Sequence, residues 1–454
     1  MGATAAVLQA RRAFSSPERR ETLDAELQLR TAEEVAAALG NLKGAMMKLG
    51  QMASYVDEGV PEPLRYALAQ LQQDAPPMSP SLVADVISEE LGDSPHRVFR
   101  EWDVKPIAAA SIGQVHRART HDGRAVAVKV QYPGVEEAIR ADLDNLDVAT
   151  FAVPFVWRNV DAKGLAAELR VRLIEELDYR TEAAAQQQFA SWYAGHPFIE
   201  IPDIVPEHST RRVLTMGIAE GARFSEVERW TQDQRDKAGE TIFRFAFRSL
   251  YRFHAFNADP HPGNYLFQPD GRVAFLDFGV VRRFSSEEMG QLLDLVQTAV
   301  LEPDAVRLRR AAERAGFVPH GAPITDERIA EYQRIFWETV LDDEVVAMTN
   351  EHASRLIRRL LFAHNEFPDV MEHCNIPPRF LFLQRITVGL VAILGRLGAQ
   401  ANWRRIAEEL WPNADAPPST ELGRLEAEWW AGVRGIAPAS PLGPPGVEDQ
   451  EAQP

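Results

Sequence analysis

Apolar residues recur along this chain with periods that change from segment to segment, and the changes mark out its elements. Between about residues 21 and 55, Leu27, Leu29, Ala32, Val35, Leu39, Leu42 and Met46 are spaced three or four apart among charges, which predicts an amphipathic helical extension. "APPMSP" at 75–80 interrupts it and forms a natural joint. A second helical pattern carries Leu82, Val83, Val86, Ile87 and Leu91 and stops at Gly92, the residue type that most readily closes a helix. Two strand-like runs follow, "SIGQVHRAR" and "RAVAVKVQY". They are separated by "THDG", and in the second run Val126, Val128 and Val130 alternate with Ala127 and Lys129, so the pair reads as a hairpin. Helical segments are expected over about 135–150 and 162–193, and "RRVLTM" supplies one more short strand. Beyond Gly221 the pattern is helical except for "AFNADPHPGNYLF" and "GRVAFLDFG". The end, "APASPLGPPGVEDQEAQP", has the composition of a disordered tail.

Composition changes this picture in three places. At 454 residues, with 45% hydrophobic and 25% charged, the chain has room for two or three domains and a large core. A formal charge of −17 works against polyanionic nucleic acid as a partner and against bulk attraction to an anionic membrane. One cysteine, Cys374, can form no intrachain disulfide and fits a reducing compartment such as the cytoplasm. The basic opening, without an acid before Glu18, makes an organelle transit peptide the alternative. The most apolar stretch, from Phe380, has only ten uncharged residues between Arg385 and Arg396, so a buried helix is expected rather than a membrane span.

Candidate chemistry begins with Lys129, which points away from its valine neighbours and needs a partner or an anion; an exposed face of an edge strand is the plainer alternative. "AFNADPHPGNYLF" alternates proline with glycine, which sets a particular backbone path, and that path presents Asp259 and Asn264 five residues apart. Alone it could be a solvated turn. "VAFLDFGVV" ends an apolar strand in Asp277, Phe278 and Gly279, 18 residues after Asp259. Taken in order, a strand lysine, a helical glutamate, an Asp…Asn loop and Asp-Phe-Gly are the parts phosphoryl transfer needs. They supply a cation for the α/β-phosphates, an acid to hold it, a base (Asp259) and two oxygen ligands for Mg²⁺ (Asn264 and Asp277).

"IAAASIGQVHRA", "VAVKVQYPGV", "EELDYRTEA", "ADPHPGN" and "LDFG", preceded by "KLGQ", together resemble the UbiB/AarF-type atypical kinase family, associated with ubiquinone biosynthesis, over roughly residues 39–404. The resemblance implies an α+β, protein-kinase-like bilobal fold that uses ATP or ADP with Mg²⁺. It divides the chain into a helical extension (1–75) lying over the active site, an N-lobe (76–216), a helical C-lobe (217–436) and a proline-rich tail (437–454). It also implies roles: Lys129 on the phosphates, Glu182 as its ion-pair partner, and Glu176 with Asp178 as acids facing Lys48 and Gln51 of the extension. Where protein kinases place a glycine-rich loop, this chain has Ala108, Ala109, Ala110 and Ser111 before Gly113. Alanine resists positive φ, so phosphates are not wrapped in the glycine-dependent way. Met216 sits at the expected nucleotide hinge, with Gly217 where many relatives carry glutamate, and Asn257 stands where they carry histidine. Only "VVRRFS" separates Gly279 from the next predicted helix, capped by Ser285 or Ser286, which leaves no room for a peptide-presenting activation segment.

The expected activity is therefore that of an ATP-dependent phosphotransferase or ATPase acting on or for a small isoprenoid or lipid-like molecule, with any membrane contact peripheral and the oligomeric state open. A nucleotide-gated protein that binds a ligand or partner with little turnover is the second reading. A small-molecule phosphotransferase of the antibiotic-modifying kind is the third; its metal motif lacks Phe-Gly, and it has no Lys-x-Gly-Gln extension.

Overall fold

Ser79 accepts a hydrogen bond from the backbone of Leu82, Pro80 takes the first helical position and Gly92 closes the far end at φ 84°, so α1 (Pro80–Leu91) has the ends its sequence calls for. The computed structural model describes residues 78–140 apart from 111 and 138, residue 174, and residues 177–433 apart from 362, 364, 365, 375, 376 and 415. The expected extension, the segment 141–173 and the proline-rich tail lie outside the described residues, as do Lys48, Gln51, Ser111 and Glu176.

The N-lobe is an antiparallel sheet of β1 (Ala108–Ala110), β2 (Gly113–Arg119), β3 (Ala125–Gln131) and a later strand, β4 (Val213–Gly217), with Glu101–Trp102 on the far edge of β2. The hairpin forms as expected, with Val115 opposite Lys129. Its β3 is internal rather than an edge: Lys129 also pairs with Leu214 of β4. The strand period of two divides the sheet's faces. Val126, Val128 and Val130 pack with Val83, Val86 and Ile87 of α1 and with Phe99, while Leu214 and Met216 lie on the other face with Tyr179 and Leu177. Helix α2 (Tyr179–Trp192) covers that second face.

The helix expected over 162–193 does not run unbroken. Asp178 is extended at φ −124° and its side chain caps the Arg180 amide, so α2 starts afresh at Tyr179. An Asp that can bond its own downstream backbone favours a cap over a helix interior.

The C-lobe is built on α3 (Gln232–Phe253), which Thr231 and Gln234 start with a capping box and His254 closes in the left-handed region. Two small antiparallel pairs lie against it. In one, β5 (Ala255–Asn257) pairs with β8 (Val281–Arg283); in the other, β6 (Tyr265–Phe267) pairs with β7 (Val273–Phe275). The longer helices that follow are α4 (Ser286–Val296), α5 (Ala305–Arg314), α6 (Asp326–Arg334), α7 (Asn350–Leu361), α8 (Pro378–Leu397), α9 (Trp403–Leu410) and α10 (Glu421–Val433). Ser285 caps α4 with Glu288 in a capping box, and α4 runs into a π-helical turn over Gln297–Leu301. The apolar stretch from Phe380 is buried α8, and among the described residues no helix is long and apolar enough to cross a membrane.

Candidate active site

Three segments converge where the lobes meet: β3 with Lys129, α2 with Glu182, and the two C-lobe strand pairs with the loops that follow β5 and β7. Lys129 Nζ donates to both oxygens of Glu182, at 2.9 and 2.8 Å, with the two residues only 8% and 5% exposed. Asp277 Oδ2 lies 3.9 Å from the same nitrogen, and the Tyr179 ring faces it at 4.8 Å. Burial alone would lower the Lys129 ammonium, but Glu182 and Asp277 outweigh it and hold the group charged, above its usual range. A buried cation held in this way is committed to these acids or to an incoming anion.

The loop after β5 is tied at nearly every residue. Ala258 N–H donates to Val280 O (2.8 Å), Asp259 N–H to Asn257 Oδ1 (3.3 Å) and His261 N–H to Asp259 O (2.8 Å). Gly263 N–H donates to His261 Nδ1 at 3.1 Å. Asn264 turns its Nδ2 back onto Asp259, at 3.1 Å from the backbone oxygen and 3.4 Å from Oδ2. Asn257 Nδ2 reaches across the β5–β8 pair to Asp277 O at 2.6 Å, so the residue that replaces histidine joins the Asp259 loop to the Asp-Phe-Gly turn. The structure therefore brings Asp259, Asn264 and Asp277 into one hydrogen-bonded frame, with Lys129 and Glu182 beside it.

Asp-Phe-Gly is folded so that each residue has a separate task. Phe278, 1% exposed, packs against Phe189 of α2 at 4.9 Å, and Phe189 is two helical turns below Glu182. The ring thereby seats the helix that delivers the glutamate. Gly279 N–H donates to Asp277 Oδ1 at 2.9 Å; a Cβ at Gly279 would stand 3.2 Å from that oxygen and 3.7 Å from Glu182 Oε2. The segment after Gly279 becomes β8 at once, pairing with β5, and α4 follows from Ser286.

The remaining expected site residues divide. Ala108, Ala109 and Ala110 form β1, an ordinary strand paired opposite Val115, Gln114 and Gly113; Gly113 is required by closeness, since a Cβ there would meet Val130 O at 2.2 Å. Met216 is buried at 6% exposure, with its Sδ 3.5 Å from Gln186 Nε2, and the next two backbone N–H groups donate to Asp203 O and Ala125 O. Asp178 is engaged locally by Arg180, with Nε at 2.9 Å from Oδ1, which holds its carboxyl below the usual range. Two features escaped the sequence reading. Tyr179 lies three residues before Glu182, one helical turn along the same face, and its buried hydroxyl has no hydrogen-bond partner; burial pushes the phenol up. Pro260, next to Asp259, is pressed by α8: a Cβ at Gly389 would stand 2.3 Å from its Cγ.

Comparison with known proteins identifies the family. Residues 70–312 match the model of the ABC1 atypical kinase-like domain. The chain is 34% identical over 270 residues to the rat protein "Atypical kinase COQ8B, mitochondrial", covering 59% of this chain and 51% of that one. It is 32% identical over 273 residues to the yeast "Atypical kinase COQ8, mitochondrial", covering 59% and 54%. The chain thus spans about half the length of the curated relatives it matches. A solved structure, the Rv3197–erythromycin complex from Mycobacterium tuberculosis, superposes with a TM-score of 0.60 at 32% identity, over 88% of this chain and 100% of that one. The chain belongs to the ABC1 atypical kinase-like family and has its α+β, bilobal kinase-like fold.

Proposed function

We propose that this chain uses Mg²⁺-ATP to transfer the terminal phosphoryl group to a small isoprenoid or lipid-like molecule, or to water in handling one, with ubiquinone-type metabolism as its setting. The observation that carries the reading is the buried Lys129–Glu182 pair set beside Asp277 and the Asp259–Asn264 frame, because phosphoryl transfer depends chiefly on positioned charge. Lys129 binds phosphate oxygens and Glu182 fixes its direction. Asp259 takes the proton of the attacking hydroxyl or water as the new O–P bond forms and the bond to the leaving diphosphate breaks.

The donor set suits Mg²⁺. Asn264 has its amide nitrogen on Asp259, which leaves its oxygen as the ligating end, and Asp277 offers a carboxylate beside it, with Oδ2 3.9 Å from Lys129 Nζ. Held by Asn264 and Asp277, the ion would supply positive charge to offset that of the phosphates. The immediate return of the chain into β8 and α4 supports a non-peptide substrate, since no extended segment is left to present a peptide. The relative solved with erythromycin supports a small organic ligand in this fold. The mitochondrial labels of the relatives favour the organelle over the cytoplasm.

Incubating the purified protein with Mg²⁺-ATP and extracted lipids, and following both phosphate release and phosphorylated lipid by mass spectrometry, tests the proposal. Asp259→Asn is expected to slow turnover about 10²–10⁴-fold, the usual worth of a general base. Turnover by that variant at the wild-type rate would remove Asp259 from the reaction.

A further inference from the structure

A cleft in the C-lobe, lined by none of the residues of the Lys129 site, opens between α3, α8 and the 3₁₀ segment Ile335–Val340. Its floor is apolar and buried, with Leu250, Leu295, Val391 and Leu394 among the lining residues, while Phe247, Phe336 and Leu383 at the mouth are partly exposed. Among the described residues, no charged side chain lines it.

Five polar side chains in this wall have their needs met or unmet in a revealing way. Thr387 Oγ1 donates to Leu383 O at 2.8 Å, Gln384 Nε2 donates to Leu360 O at 2.5 Å, and the Tyr251 hydroxyl is engaged by Trp411. Gln333 Nε2 and Trp337 Nε1 are different: both are buried and have no hydrogen-bond partner, and Gln333 is 1% exposed. They lie four residues apart on consecutive helical turns, so they fall on the same side. Leaving buried donors unmet is costly, and these two find no acceptor among the described residues around them.

We propose that this cleft is a second binding site, and that it takes a neutral apolar molecule bearing a carbonyl-type oxygen. One such oxygen has two lone pairs and can accept from Gln333 and Trp337 together, while an alkyl chain fills the floor between α3 and α8. A charged headgroup is disfavoured, because burying it here would leave it without a counter-ion. The lipid-like molecule proposed above is one such ligand, and to that extent the inference rests on that reading; the chemistry of the ligand is read from the cleft wall itself.

The test uses the full chain without nucleotide, with 2-octanone and octane as probes, and equilibrium dialysis read by gas chromatography. Wild type should bind 2-octanone about tenfold more tightly than octane. Trp337→Phe with Gln333→Leu should erase that preference without weakening octane binding, and Val391→Trp, which fills the floor, should abolish both. Mg²⁺-ATP affinity, measured in parallel on each variant, should not move. Equal affinity for the two probes in wild type overturns the inference, as does a ketone preference that survives the double substitution. Binding seen only after residues 1–77 are removed would make the chain's own N-terminal segment the occupant, and would also overturn it. In wild type, absence of a ketone preference with normal nucleotide binding counts against this site alone, whereas a failure to bind nucleotide with the ketone preference intact counts against the phosphoryl-transfer reading alone.

Discussion

Asn257 shows how one residue can hold a site together without taking part in its chemistry. Its Nδ2 bonds Asp277 O at 2.6 Å and its Oδ1 accepts from the Asp259 N–H, so a single carboxamide fixes the distance between the proposed base and the proposed metal ligand. Asn257→Ala is expected to cost about 1–2 kcal/mol of folding free energy, the worth of two partly buried hydrogen bonds, and to raise the Kd for Mg²⁺-ATP several-fold. Urea unfolding and calorimetric titration on the same preparation check the two halves; an unchanged Kd would make the bridge a purely structural device. The spacing of Asp259, Asn264 and Asp277 was legible in the sequence because it is set within one short loop and one strand end. The role of Asn257 was not, because its partner lies 20 residues away across a strand pair. The fresh helix start at Tyr179 was missed for a related reason: whether an acid such as Asp178 joins a helix or caps it depends on where the helix starts, which periodicity locates only loosely.

At the scale of elements, α8 carries two unrelated duties. Leu383, Thr387, Leu390, Val391 and Leu394 form a stripe along the C-lobe cleft, and Gly389, off that stripe, gives way to Pro260 of the Asp259 loop. Gly389→Ala would put a Cβ 2.3 Å from the proline ring, so either α8 or the loop must move. Overpacking of this kind costs about 1–3 kcal/mol, and the displaced loop is expected to lower kcat more than it changes nucleotide affinity. Gly290 of α4 has open space around its Cβ position, and Gly290→Ala should instead stabilise by about 0.5–1 kcal/mol with turnover unchanged. Thermal unfolding and steady-state rates of the two variants separate a clash from a general effect of replacing a helical glycine. The sequence predicted α8 as a buried helix from its apolar run, yet gave no sign of why Gly389 is a glycine, since the answer is a contact 129 residues distant in the chain.

For the whole molecule, buried histidines couple stability to pH. His116 is 0% exposed, with Nδ1 on Asp103 O at 2.8 Å and Nε2 on Gln114 at 2.8 Å, and burial keeps its imidazole below the usual range; burial lowers His208 and His254 as well. A histidine whose folded value lies below the unfolded value of about 6.5 binds its proton more readily when unfolded. Its contribution is therefore complete above about pH 6.5 and is lost as the pH falls, at up to about 1.4 kcal/mol per pH unit for each such group. The melting temperature is expected to drop between pH 7 and pH 5.5, and less steeply in His116→Gln; equal slopes would show that other groups carry the dependence. The two lobes meet at Lys129, Glu182 and Asp277, and calorimetric titration of Mg²⁺-ATP into wild type, Lys129→Ala, Asp277→Asn and Asp259→Asn tests most directly whether nucleotide binds there. Wild type and Asp259→Asn should bind alike, while Lys129→Ala and Asp277→Asn bind at least about tenfold more weakly, because each removes a charge from the phosphate and metal positions. Equal binding by all four proteins would contradict the assignment of this cleft as the nucleotide site.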